Sequence, residues 1–209
     1  MTRIGRGAYV PVPLELLGNR YVLDDHWVLV PVLYGLSYIG GWTAAEYWEL
    51  TEQMFKDTVV LTSNPVRKKH QVRHGARFWL SHIHKRKVFG TKAVWRGNTR
   101  VLVSDIHRTI IDILDNPKLG GGIQHVSDCL AVYLKNPDRS DVTLIEYAEN
   151  LGNGAVMKRL GYLVDRLSGP SKLSISCRER MTAGNAKLDS ALKCTRLITR
   201  WRLWVPPNW

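Results

Sequence analysis

The sequence predicts an α/β or α+β fold, with sheet concentrated in its first half and helices in its second. Three observations lead there. Residues 57–104 carry β-branched and alternating runs separated by short polar segments. From Ser104 onward the apolar residues recur at helical spacing. Hydrophobic residues make up 44% of 209, enough to build a full core without disulfide staples.

In the first half, Thr58-Val-Val-Leu-Thr62 is a continuous β-branched run and predicts a strand buried on both faces. The segment from Ala76 to Ile83 alternates in part. Lys92-Ala-Val-Trp95 and Thr99-Arg-Val-Leu-Val103 flank Arg96-Gly-Asn98, the pattern of a hairpin. Upstream, Thr43-Ala-Ala-Glu46 has the spacing of a capping box and predicts a helix over 44–54, with Ala45, Trp48 and Leu50 on its buried side. Pro31 leaves 26–36 open between helix and loop. Arg3 to Pro13 is a glycine turn feeding an extended segment that Pro11 and Pro13 confine to an edge. Eight tryptophans spread along the chain are expected as core anchors.

In the second half, Ser104 is the expected N-cap of a helix whose stripe is Ile106, Ile110, Ile113 and Leu114, ended by Asn116-Pro117. Gly120-Gly-Gly122 is a joint before a helix over 123–134. Asp141 opens another over 142–150, closed by Gly152. Asn153 caps a third, with Val156, Leu160, Leu163, Val164 and Leu167 on its core face. The tail is expected to be irregular, apart from a final strand within 197–205 that Pro206-Pro207 ends. The expected organisation is a strand-bearing segment over 1–28 and one domain over 29–209.

Charge narrows the function classes. Thirty Lys and Arg against eighteen acids give a net charge of +12, which favours anionic partners. The excess is segregated. Between Thr58 and Ser104 there is no Asp or Glu, while eleven Lys or Arg lie there. Of these, Arg67, Lys68, Lys69, Arg73, Arg77, Lys85, Arg86 and Lys87 are the candidate nucleic-acid-binding residues. They fall on a loop after the 58–62 strand, on the 76–83 strand and on the connection that follows. The structural alternative is a solvated sheet face balanced by acids elsewhere. A second basic stretch, Arg166 to Arg202, has nine cations and two acids, Glu179 and Asp189.

Other chemistry finds little support. No phosphate-cradling loop, dinucleotide fingerprint, metalloprotease helix or nucleophile elbow is present, so no catalytic residue and no cofactor are expected. His82 and His84 lack a signposted third ligand, and a metal site is not expected. Asp112 and Asp115 belong to a solvated helix face on this reading, and Asp105 pairs locally with Arg108. Cys129, Cys177 and Cys194 form no C-x-x-C pair and suit a reducing cytoplasm. No apolar run is long enough to span a bilayer.

Five segments together resemble the AbiEi family, regulators of abortive-infection toxin–antitoxin systems. They are Ile4-Gly-Arg-Gly-Ala-Tyr-Val10, Tyr38-Ile-Gly-Gly-Trp-Thr-Ala-Ala45 running into Leu50-Thr-Glu-Gln53, Val88-Phe-Gly90 followed by Val103-Ser-Asp-Ile-His-Arg-Thr-Ile-Ile-Asp112, Leu119-Gly-Gly-Gly122, and Val156-Met-Lys-Arg-Leu-Gly-Tyr-Leu163. Each is short; their order spans nearly the whole chain. The resemblance implies a non-enzymatic antitoxin that counteracts a nucleotidyltransferase toxin, with or without touching it. It also implies a winged helix-turn-helix that represses its own promoter. Of that element only the wing-like Arg3 to Val12 is expected here, without a recognition helix to read base edges. The alternative is a general nucleic-acid-binding module using the cationic segment.

Overall fold

The computed structural model describes residues 25–209, together with the backbone of 2–5 and 8–10. The fold is α+β: a six-stranded mixed sheet with seven α-helices among the described residues. The chain divides into two compact units. One comprises residues 1–44 and 54–105, the other 45–53 and 106–209.

Unit one carries the sheet. Strands β1 (Thr2–Gly5) and β2 (Ala8–Val10) pair with each other in antiparallel fashion. Pro11 and Pro13 lie outside the described residues. Asp25 then caps a short 3-10 turn over His26–Val28, its carboxylate accepting from the Trp27 amide. Helix α1 (Leu29–Tyr34) follows, and Pro31 sits in its first turn, where no intrahelical N–H is needed. This settles 26–34 as helical, with Gly35 ending the helix at φ 63°.

The large sheet runs β5-β6-β4-β3-β8-β7. Its strands are β3 (Ser37–Ile39), β4 (Thr58–Thr62), β5 (His70–Arg73), β6 (Ala76–His82), β7 (Thr91–Arg96) and β8 (Thr99–Ser104). β4 is buried at every residue, as its unbroken apolar run requires. β3 is only three residues long, yet it joins the two halves of the sheet, antiparallel to β4 and parallel to β8. Phe78, Leu80, Val60, Ile39, Val101 and Val103 share the face against α1, where the Tyr34 and Phe78 rings meet edge-on at 5.4 Å. The β7–β8 hairpin turns at Gly97, whose φ of 56° a side chain would resist.

Two expectations for unit one change. The 44–54 helix is instead α2 (Gly41–Tyr47), and no capping box forms at Thr43. Thr43 is buried within the helix, and its hydroxyl accepts from the Val59 amide at 2.9 Å. Tying the helix to β4 takes precedence over capping. The tryptophans are not uniformly core either: Trp42 and Trp201 are buried, while Trp95 is 66% exposed on the edge strand β7.

Unit two is helical. Helix α3 (Ile106–Asp115) is its hub, in contact with α4 (Ile123–Tyr133), α5 (Asp141–Leu151) and α6 (Gly154–Ser168). Ile106, Ile110, Ile113 and Leu114 are all buried. Ser104 is the last residue of β8, and α3 starts two residues later at Ile106. Asp112 is buried, not solvated, and pairs with buried Arg108 at 2.8 Å, one helical turn ahead of it. Ser140, not Asp141, caps α5, accepting from the Thr143 amide; Gly152 closes that helix at φ 70°. Asn153 caps α6 by accepting from the Ala155 amide. On α6 the expected core positions are buried except Leu167, which is 40% exposed.

The tail is more ordered than its composition suggests. Ser171 and Ser174 form a capping box that starts helix α7 (Lys172–Glu179). Strands β9 (Ala186–Lys187), β10 (Arg196–Ile198) and β11 (Leu203–Val205) make a small sheet, so 197–205 is a hairpin and not one strand. Trp201 lies at its turn against Gly161 of α6, where an added Cβ would stand 2.1 Å from the indole. Gly161→Ala is expected to destabilise by about 1–3 kcal/mol through overpacking. A urea midpoint equal to that of the parent would refute this contact.

Candidate nucleic-acid interface

The cationic residues belong to unit one and gather around its β5 edge. Residues 63–69 leave β4, and their two ends are fastened to the sheet: the Ser63 amide donates to Leu36 O at 2.9 Å, and the Leu80 amide donates to Lys69 O at 2.7 Å. Between these anchors Arg67, Lys68 and Lys69 are exposed. The Lys68 carbonyl accepts from Gln71 Nε2 at 3.1 Å, which fixes the loop's approach to β5.

Arg73 lies on β5 and not in the loop where its sequence position suggests. The strand exists because His74 (φ 49°) and Gly75 (φ 81°) form a tight turn that returns the chain into β6. Two successive residues at positive φ are what a two-residue hairpin of this hand demands. β5 has no partner on its outer side among the described residues.

Arg67, Lys68 and Arg73 converge on one groove of about 600 Å³ along this edge, with Pro65, His70 and Gln71 completing its walls. Among the described residues none of the three has an ion-pair partner. Cations on an edge strand also discourage strand addition, a purely structural service.

Arg77 is differently placed. Its register partner is Val72, so it lies on the opposite face from Arg73. There its Nε is 2.6 Å from the Asp57 carboxylate, which also stands 3.5 Å from His70 Nδ1. Asp57 lies one residue outside the acid-free stretch and neutralises a cation within it. Lys85, Arg86 and Lys87 form a 3-10 turn after β6, capped by His84, whose Nδ1 accepts from the Arg86 amide. Thr62 pairs with His82, so this turn and the 63–69 loop leave the same end of the sheet. The eight candidates thus divide: three share the groove, Lys69 lies beside it, Arg77 is engaged elsewhere and 85–87 form a separate cluster.

A second cavity of about 440 Å³ opens on the α1 face of the same edge, and sequence reasoning missed it. Thr62, Asn64, Gln71, Arg73 and His74 line it beside Tyr34, Leu33, Val66 and Leu80, and its exposed lining is mostly polar. Asn64 Nδ2 donates to the Tyr34 carbonyl at 3.1 Å, and a Cβ on Gly35 would approach that amide to 3.0 Å. The Tyr34 hydroxyl is buried and has no hydrogen-bond partner among the described residues, which costs about 1–3 kcal/mol. Burial pushes it up to about 12, against the pull of Arg73, so it is a neutral donor at pH 7.

Elsewhere, His125 in unit two stands 3.8 Å from Cys129 Sγ. Burial pushes that thiol up to about 12, and His125 is already engaged with Thr51 Oγ1 and the Gly120 carbonyl. The pair is not an activated nucleophile. Among the described residues no group of three His, Cys, Asp or Glu is arranged to hold a metal ion, and no helix is long and apolar enough to cross a membrane.

No family model matches the chain, and no curated protein matches it. Its fold is similar to the crystal structure of the RV2827C protein from Mycobacterium tuberculosis. The TM-score is 0.57 at 15% identity, over 88% of this chain and 68% of that one. At this identity the likeness is one of fold.

Proposed function

We propose that this chain binds nucleic acid without catalysing a reaction on it, through the groove along β5. The observation that carries this is the convergence of Arg67, Lys68 and Arg73 on one groove, with no ion-pair partner among the described residues. Phosphate oxygens supply the missing counter-charge, and a groove of this kind tracks the backbone rather than reading base edges. Changing Arg67, Lys68 and Lys69 together to Ala should weaken binding to all duplexes alike. It should also flatten the salt dependence by about one unit of slope for each phosphate that the variant no longer neutralises. The fold should be unaffected, because these side chains are exposed. Fluorescence anisotropy on DNA and RNA duplexes decides it. A triple variant that binds as the parent does leaves the cations as edge protection only.

A second reading rests on a different observation, the ordered segments from Tyr38 to Leu163. On this reading the chain is a cytoplasmic AbiEi-like antitoxin that counteracts a nucleotidyltransferase toxin. The segments occupy places where the fold leaves little freedom. Tyr38 and Ile39 are fully buried in β3. Gly120 has no room for a Cβ, which would come within 2.5 Å of Val126. Val156 to Leu163 form the core turns of α6. Co-expression with a toxin encoded beside this gene should restore growth; failure against a demonstrably active toxin would remove this reading.

A further inference from the structure

The face of the large sheet opposite α1 is covered along its inner strands, where Tyr38, Val59 and Leu61 are buried. The cover thins toward the β7 edge: Leu102 on β8 is half-buried, and Ala93 and Trp95 on β7 are exposed. Arg100, the register partner of Trp95 on β8, is exposed beside it. Other tryptophans of the chain are engaged. Trp42 stacks on Phe55 at 4.7 Å, Trp79 meets the His70 ring at 4.5 Å, and the Trp201 indole N–H donates to Asp165 at 3.2 Å. Among the described residues the Trp95 side chain has no such partner, and Arg100 has no ion-pair partner.

We propose that Trp95 and Arg100 form a stacking platform for one unpaired base of a single-stranded nucleic acid, the base lying on the indole and the adjoining phosphate held by the guanidinium. The choice of ligand rests on the nucleic-acid reading of the chain. The site itself is separate from the groove, because β7 and β5 are opposite edges of the sheet. Three features select this occupant. Ala93, the neighbour of Trp95 on the same side of β7, is too small to cover the indole, which is left open to a planar ligand. Every nucleobase has such a face, and stacking on an aromatic side chain accepts any of them. The hairpin carries Lys92, Arg96 and Arg100 and no acid. Asp25 reaches Arg96 from outside it, and Arg100 is left for an anion. The same charges disfavour a second copy of the chain, since pairing two β7 edges would set these cations against one another. Bases within a duplex are already stacked on each other, so single strands are the preferred ligand.

The test uses the full chain and the variants Trp95→Ala, Trp95→Phe and Arg100→Gln, with the Arg67/Lys68/Lys69 triple alanine variant in parallel. Trp95 and Arg100 are exposed, so these variants should fold as the parent does, which the urea midpoint checks. The probes are a short oligothymidylate, an abasic phosphodiester strand of the same length and a duplex oligonucleotide, followed by fluorescence anisotropy. Trp95→Ala should weaken oligothymidylate binding about tenfold. Trp95→Phe keeps a ring and should recover most of that loss. Neither change should move binding of the abasic strand or the duplex. Arg100→Gln should flatten the salt slope for both single strands by about 0.7, the share of one phosphate on a single strand.

Oligothymidylate binding that is absent, or equal in the parent and Trp95→Ala, overturns the proposal. A loss that the abasic strand shares overturns it too, because no base is then being stacked. So does Trp95-dependent binding to phosphatidylserine vesicles with no binding to either strand, which would make this edge a membrane contact. Duplex binding sensitive to the triple variant, with oligothymidylate binding indifferent to Trp95→Ala, keeps the groove reading and sinks the platform. Trp95-dependent oligothymidylate binding with duplex binding indifferent to the triple variant does the reverse.

Discussion

Replacing Asp112 with Ala is expected to cost about 3–5 kcal/mol, the usual penalty for breaking a buried ion pair by removing one member. Arg108 has no exposed surface, and its Nε donates to Asp112 Oδ1 at 2.8 Å from one helical turn away. The pair sits on α3, the helix that α4, α5 and α6 pack against. A domain of ordinary stability has about 5–15 kcal/mol in total, so this one change should bring the protein close to unfolding at 37 °C. Asp112→Asn keeps an acceptor for the guanidinium and should cost less. The double change Arg108→Met with Asp112→Leu removes both charges and should recover most of the loss, because an apolar pair of similar volume needs no desolvation. Urea unfolding of the four proteins tests this. A loss below about 1 kcal/mol for Asp112→Ala would mean that other groups compensate the cation.

Raising salt from about 50 to 200 mM is expected to weaken duplex binding on the order of a hundredfold. Four phosphates neutralised by Arg67, Lys68, Lys69 and Arg73 set a slope of about 3.6 in log–log terms, since each releases about 0.9 counterion. Arg77 is left out of this count because its Nε lies 2.6 Å from Asp57. A measured slope of about 6.3 would bring Lys85, Arg86 and Lys87 into the interface. A slope near zero would mean that phosphate is not the ligand of the groove.

The groove illustrates how far composition alone leads. The absence of acids from 58–104 points to the segment that lines it, because charge segregation survives whatever the fold does with it. Which cations act together is not legible. Arg73 and Arg77 are four apart in sequence but on opposite faces, and that follows from a hairpin turned by His74 and Gly75, a weaker signal than Asn-Gly. Asp57 neutralises Arg77 from one residue outside the acid-free window. The Tyr34 cavity joins α1, the 63–66 loop and β5, and its residues are scattered along the chain with no shared pattern.

What the sequence determined by itself was the class of the fold and the elements whose cause is local. The β-branched run of β4, the Ile and Leu stripe of α3, the Asn153 cap and the Gly152 stop each depend on residues within a turn or two, so their patterns are complete in the chain. Tertiary structure decided the elements that are stabilised from outside. β3 is three residues long and exists because β4 and β8 flank it. The Thr43 hydroxyl accepts from the Val59 amide, sixteen residues away, from a position inside the helix rather than at its cap. Asp189 accepts from the Ile123 amide across 66 residues and does at the start of α4 what a local cap would have done. Arg159 spans from the Leu114 and Asp115 carbonyls at the end of α3 to the Lys187 carbonyl in β9, a buried cation whose hydrogen bonds go to distant backbone. In each case the partner that lowers the energy is remote in sequence, and hydrogen bonds and burial are settled by proximity in space, which no local pattern records.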